Sequence, residues 1–116
     1  MDNKKRKTVV LLATGGTIAG TGKPGSQTDY VPGTLSIEKI ASTIQGLDKL
    51  ASLKEIQIAN VNSDDITTHN WIELARKINT LSKDPNIDGF VITHGTDTME
   101  ETAYFLHLTV HTDKPI

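Results

Sequence analysis

Gly89-Phe90-Val91-Ile92-Thr93-His94-Gly95-Thr96-Asp97-Thr98-Met99-Glu100-Glu101-Thr102 is the stretch that decides the fold. Four residues rich in apolar and β-branched types run into a polar loop, and an apolar-periodic segment follows. That order reads as strand, tight loop, helix. It places Thr96 and Asp97 at the carboxyl end of a parallel strand, where open α/β sheets hold their ligands. The chain begins the same way. Val9-Val10-Leu11-Leu12-Ala13 is a continuous apolar run of the kind that parallel strands buried on both faces show. It ends in Thr14-Gly15-Gly16-Thr17-Ile18-Ala19-Gly20.

Between these two motifs the pattern alternates. Gly15 to Pro32 is a long loop of Gly, Thr, Ser and Pro, of the length that functional lids reach. Ile37, Ile40, Ala41, Ile44 and Leu47 follow helical spacing, with Ser36 as N-cap and Gly46 as stop. Lys54 to Val61 alternates as a second strand. Thr67 or Thr68 caps a helix whose inner face carries Trp71, Leu74, Ala75, Ile78 and Leu81. Asp97 starts the last helix, with Met99, Ala103, Leu106 and Val110 turned inward. There Asp97-Thr98-Met99-Glu100 fits an acidic capping box. The whole is βαβαβα: an α/β fold, the N-terminal part of a three-layer αβα domain with a mostly parallel sheet. Lys114-Pro115-Ile116 reads as the entry to another strand. We therefore expect residues 1–116 to be the first portion of a larger α/β domain in a longer protein.

Composition removes several classes of function. The formal net charge of −2 and pI near 6.0 provide no electrostatic footprint for nucleic acid or an anionic membrane. Lys4-Lys5-Arg6-Lys7 reads as a solvated N-terminal tail. With no cysteine, zinc–thiolate sites and cysteine nucleophiles are excluded. The basic N-terminus is not followed by the apolar stretch a secretory signal needs, and the compartment stays open. Gly20-Thr21-Gly22-Lys23-Pro24-Gly25 matches the letters of a dinucleotide loop, but no helix opens after it. Pro24 also stands where a phosphate loop needs Ser or Thr. His69, His94, His107 and His111 are too scattered for a metal set.

What remains is a constellation of hydroxyls and carboxylates at strand ends. Threonine occurs sixteen times, so position rather than type discriminates. Thr17 follows two glycines, whose backbone lets a substrate approach closely and whose N–H groups can hold an oxyanion. Thr17 is thus a candidate nucleophile, or a turn threonine bonded to its own backbone. Tyr30, in the same loop, is a candidate activator. Ser63, Asp64 and Asp65 follow the second strand. Three polar loops without metal ligands or a phosphate cradle point to a small zwitterionic ligand.

Taken together, these motifs resemble the L-asparaginase family, in its bacterial type II branch. The likeness covers Val9 to Ile116 and is carried by Ala13 to Gly20 and by Thr93 to Thr102. It implies hydrolysis of L-asparagine to L-aspartate and ammonia without cofactor or metal, through a threonine acyl-enzyme. It assigns catalytic roles to Thr17, Tyr30, Thr96 and Asp97, and substrate binding to Ser63, Asp64, Thr96 and Asp97. Gly16 and Gly95 shape the oxyanion turn. It further implies a homotetramer, a periplasmic or secreted location, and no nucleic-acid or membrane partner. This sequence has Asp64 where the branch has Gln or Glu. The branch also uses a lysine beyond position 116 and an acidic residue from a neighbouring subunit, so residues 1–116 alone are expected to be inactive. The alternatives are a glutaminase-asparaginase, the ammonia-generating subunit of a tRNA-dependent amidotransferase, or a non-catalytic amino-acid-binding module.

Overall fold

The computed structural model describes residues 5–21 and 35–116. Tyr30 and the loop segment around it lie outside the described residues. β1 (Lys7–Gly15) is the central strand of a three-stranded, wholly parallel sheet, flanked by β2 (Ala51–Val61) and β3 (Gly89–Thr93) in the order β2-β1-β3. The central position is the reason for its uninterrupted apolar run: both faces of β1 need cover. Alternate side chains point to opposite faces. Val10 and Leu12, in register with Phe90 and Ile92, face one layer of helices. Ala13 lies opposite Gln57, whose Oε1 accepts from the backbone N–H of Ile37 at 3.0 Å on the other face.

The helices are α1 (Ile37–Thr43), the single turn α2 (Leu47–Leu50), α3 (Thr68–Leu81) and α4 (Met99–Thr109). The core joins Val10 and Leu12 of β1 and Phe90 of β3 to Leu74, Ala75 and Ile78 of α3, Ile87, and Leu106 of α4. Each fully buried aliphatic side chain there contributes roughly 1.5–3 kcal/mol by leaving water. Thr67 caps α3 in a reciprocal box: its hydroxyl accepts from Asn70 N–H, and the Asn70 side chain accepts from Thr67 N–H. β3 matches its expected span.

Four expectations need correction. The first helix ends at Thr43 rather than running to Gly46. Ile44 is 51% exposed, and Gly46, at φ +78°, starts the separate turn α2. β2 begins at Ala51, three residues before the alternating stretch, because Lys7 to Val9 of β1 pair with Ala51 to Leu53. Asp97 does not cap α4. The N-cap is Thr98, without a side-chain cap bond, because its hydroxyl donates instead to the Ser63 carbonyl at 2.8 Å. Finally, α4 buries Thr102 and Leu106, while Met99 and Ala103 are exposed. Thr102 can occupy the inward position because its hydroxyl is hydrogen-bonded there. Met99 and Ala103 line an open groove of about 620 Å³ beside Ile92 and Val110. The Pro115 carbonyl accepts from Phe90 N–H at 2.9 Å along the outer edge of β3, where the sequence places the entry to another strand.

Candidate active site

The loops after β1, β2 and β3 meet at the carboxyl end of the sheet. Gly16 N–H donates to the Val61 carbonyl at 2.8 Å, tying the first loop to the end of β2. A Cβ on Gly16 would lie 2.4 Å from the backbone nitrogen of Gly95, and one on Gly95 would lie 2.7 Å from Ser63 Oγ. All three loops therefore meet at one point, Gly16 against the Gly95 backbone and Gly95 against the Ser63 side chain. Gly16 also has φ +79°, a conformation L side chains rarely adopt. Thr14 and Thr98 brace the junction: the first donates to the Thr93 carbonyl at 2.9 Å, the second to the Ser63 carbonyl.

Thr17 opens a one-turn 3₁₀ segment, Thr17–Ala19, directly after Gly16. Ser63 opens the corresponding turn after β2, Ser63–Asp65, and is 2% exposed. Thr96 and Asp97 are exposed on the loop between β3 and α4, and Asp64 is exposed on the loop between β2 and α3. The two carboxyls approach one another. The charge of Asp97 is the main reason that the Asp64 carboxyl is raised above its ordinary value; partial desolvation, a carboxyl–carboxyl hydrogen bond and Asp65 add to it. Among the described residues no cation offsets the charges acting on Asp64, so the pair is electrostatically incomplete. It favours a proton or a positively charged group of a ligand.

One part of the site was not anticipated. His94 Nδ1 lies 2.7 Å from the Gly95 carbonyl, and its Nε2 lies 2.8 Å from Thr102 Oγ1. Trp71 Nε1–H donates to the same hydroxyl at 2.8 Å, and the indole stacks on Phe105 with ring centres 5.2 Å apart. Periodicity assigned Trp71 to the core and left His94 without a role. The only trace of this network in the sequence is a threonine on the inner face of α4.

A parallel sheet whose strand-end loops touch through glycines and present a carboxylate pair defines an α/β domain with its polar groups gathered at the carboxyl end of the sheet, where open α/β sheets hold their ligands. The chain belongs to the asparaginase family: residues 8–116 match the family described as Asparaginase, N-terminal. It is 48% identical over 108 residues to L-asparaginase 2 of Escherichia coli K12, covering 93% of this chain and 30% of that protein. It is 46% identical over 112 residues to the glutaminase-asparaginase of Acinetobacter glutaminasificans, covering 96% and 34%. A solved structure, a probable cytoplasmic L-asparaginase from Campylobacter jejuni, superposes with a TM-score of 0.81 at 43% identity, over 87% of this chain and 31% of that one. The chain thus spans about a third of the length of the relatives it matches.

Proposed function

We propose that the full-length protein carrying this chain hydrolyses L-asparagine to L-aspartate and ammonia by covalent catalysis. The observation that carries the reading is the close approach of Gly16 to Gly95 and of Gly95 to the Ser63 side chain. It brings the threonine-bearing turn after β1 beside the loops that carry both carboxylates. The family membership and the relatives named L-asparaginase support the choice of reaction.

In this reading the Thr17 hydroxyl attacks the side-chain amide carbon of asparagine. Its proton passes, with the help of Tyr30, to the departing nitrogen, which leaves as ammonia. The resulting aspartyl ester is hydrolysed by a water molecule that Thr96 positions, which returns the proton to Thr17. Backbone N–H groups of the residues that follow Gly16 and Gly95 stabilise the oxyanion, the Gly16 N–H itself being bonded to the Val61 carbonyl. Ser63 holds the substrate α-carboxylate, and Asp97 with Asp64 holds the α-ammonium, whose positive charge offsets the repulsion between the two carboxylates. Residues 1–116 alone release little ammonia, and the working form is a homotetramer.

Thr17→Ala in the full-length protein tests the assignment. Turnover is expected to fall about a thousand-fold or more, as for removal of a covalent nucleophile. An aspartyl adduct trapped by acid quench should map to the peptide containing Thr17. Near wild-type ammonia release from the variant overturns the nucleophile. A second reading, a glutaminase-asparaginase, is favoured by the relative of that name. Comparable kcat/KM on glutamine and asparagine would establish it.

A further inference from the structure

We infer that His94, held by Thr102 and Trp71, is a positioning residue that locks the Gly95–Thr96 peptide and so orients Thr96 and Asp97. The inference rests on the proposed amidase reading for its kinetic consequences, but its geometry stands alone.

The groups involved fix the direction of two of the three hydrogen bonds, and we assign the third. The indole N–H of Trp71 can only donate, so Thr102 Oγ1 accepts at 2.8 Å. The Gly95 carbonyl can only accept, so His94 Nδ1 carries a proton and donates at 2.7 Å. We assign the Thr102 hydroxyl proton to the third bond, donated to His94 Nε2 at 2.8 Å. The result is a directed chain from Trp71 to Thr102 to His94 to the Gly95 carbonyl, with the imidazole proton on Nδ1 and Nε2 as acceptor.

Both ends of the chain are fixed. Trp71 stacks on Phe105, and Thr102 is 3% exposed on α4. Gly95 is pressed between Gly16 and Ser63, where no side chain fits. A hydrogen bond to its carbonyl therefore sets the remaining freedom, the tilt of the Gly95–Thr96 peptide plane. Because the peptide is planar and trans, the Thr96 N–H points away from the imidazole. The two residues that follow Gly95 are those assigned above to the water and to the ammonium. A small tilt at Gly95 moves both reacting partners, and displacements of about 1 Å can cost a hundred-fold in rate.

The test uses the full-length protein. Thr102→Val removes the hydroxyl at nearly constant shape. It is expected to lower kcat per folded site about ten-fold or more while KM moves less than about two-fold. Thr102→Ser should restore kcat. Trp71→Phe keeps an aromatic ring beside Phe105 but loses the N–H together with part of the indole, and should cause a smaller fall in kcat per folded site. A purely structural role would lower the melting temperature of Thr102→Val and leave kcat per folded site unchanged, which overturns the inference, as does failure of serine to rescue. Neutron diffraction of the wild type is expected to show a deuteron on His94 Nδ1 and none on Nε2. A deuteron on Nε2 overturns the chain even if the variants do not fold. If the wild type hydrolyses neither asparagine nor glutamine, the amidase reading fails while the tautomer still decides the chain.

Discussion

The two ends of the sheet use the same functional group in opposite ways. At the amino end, Asp88 accepts from Thr8 N–H and from Lys7 Nζ, each at 2.8 Å, while its own N–H donates to the Thr8 carbonyl. The Lys7 and Thr8 bonds hold its carboxyl below the ordinary value. At the carboxyl end, Asp64 and Asp97 face each other, and Asp64 is raised. One carboxylate is committed to joining β1 to β3. The other two are left with like charge opposite them. Among the described residues, the amino end thus ties its carboxylate into the fold, whereas the carboxyl end sets two carboxylates against each other.

The largest effect that would break this contrast is at Asp97. Asp97→Asn in the full-length protein is expected to weaken L-aspartate binding roughly ten- to a hundred-fold, the worth of a hydrogen bond to a charged group. Calorimetry reads it, and unchanged affinity would mean the carboxylate pair serves no ligand. Gly16→Ala follows. A methyl group there meets the Gly95 backbone and forces a left-handed residue, so urea unfolding should show a loss of about 1–2 kcal/mol or more. A variant of wild-type stability would show that the loops do not touch.

Two smaller predictions depend on pH and have opposite signs. Asp88 has a depressed folded-state pKa, so the stability it contributes is present above the unfolded carboxylate value and is lost as pH falls through the folded one. Asp88→Asn should therefore lower the melting temperature at neutral pH, with the difference closing at acid pH. Asp64 has a raised folded-state pKa, so its favourable contribution is present below the unfolded value and is lost as pH rises through the raised one. Asp64→Asn should leave the ligand-free protein slightly more stable at neutral pH, with no difference in acid. A melting temperature that falls at neutral pH would show that Asp64 supports the fold.

The parallel sheet was legible because its central strand needs apolar residues on both faces and because glycines punctuate its end. β3 and the inner face of α3 were legible for similar local reasons. The boundaries that failed were set by distant partners. β2 is extended by pairing with Lys7 to Val9, and the start of α4 shifts because Thr98 serves Ser63 instead of capping with Asp97. At the site, Thr96, Asp97, Ser63 and Asp64 stand out as polar residues at strand ends. Trp71 and Thr102 do not, because periodicity reports which face a residue occupies and says nothing of which donor meets which acceptor.

By itself, the order of residues determined the alternation of strand and helix, the two glycine-bearing loops, and the chemical types available at the strand ends. These follow from propensity, periodicity and backbone sterics over a few neighbouring positions. The tertiary structure alone decided that Gly16 touches Gly95, that Asp64 meets Asp97, and that an indole, a hydroxyl and an imidazole line up on one carbonyl. Contacts between segments far apart in the chain depend on how the helices pack on the sheet, and that packing is settled by the burial of the core as a whole.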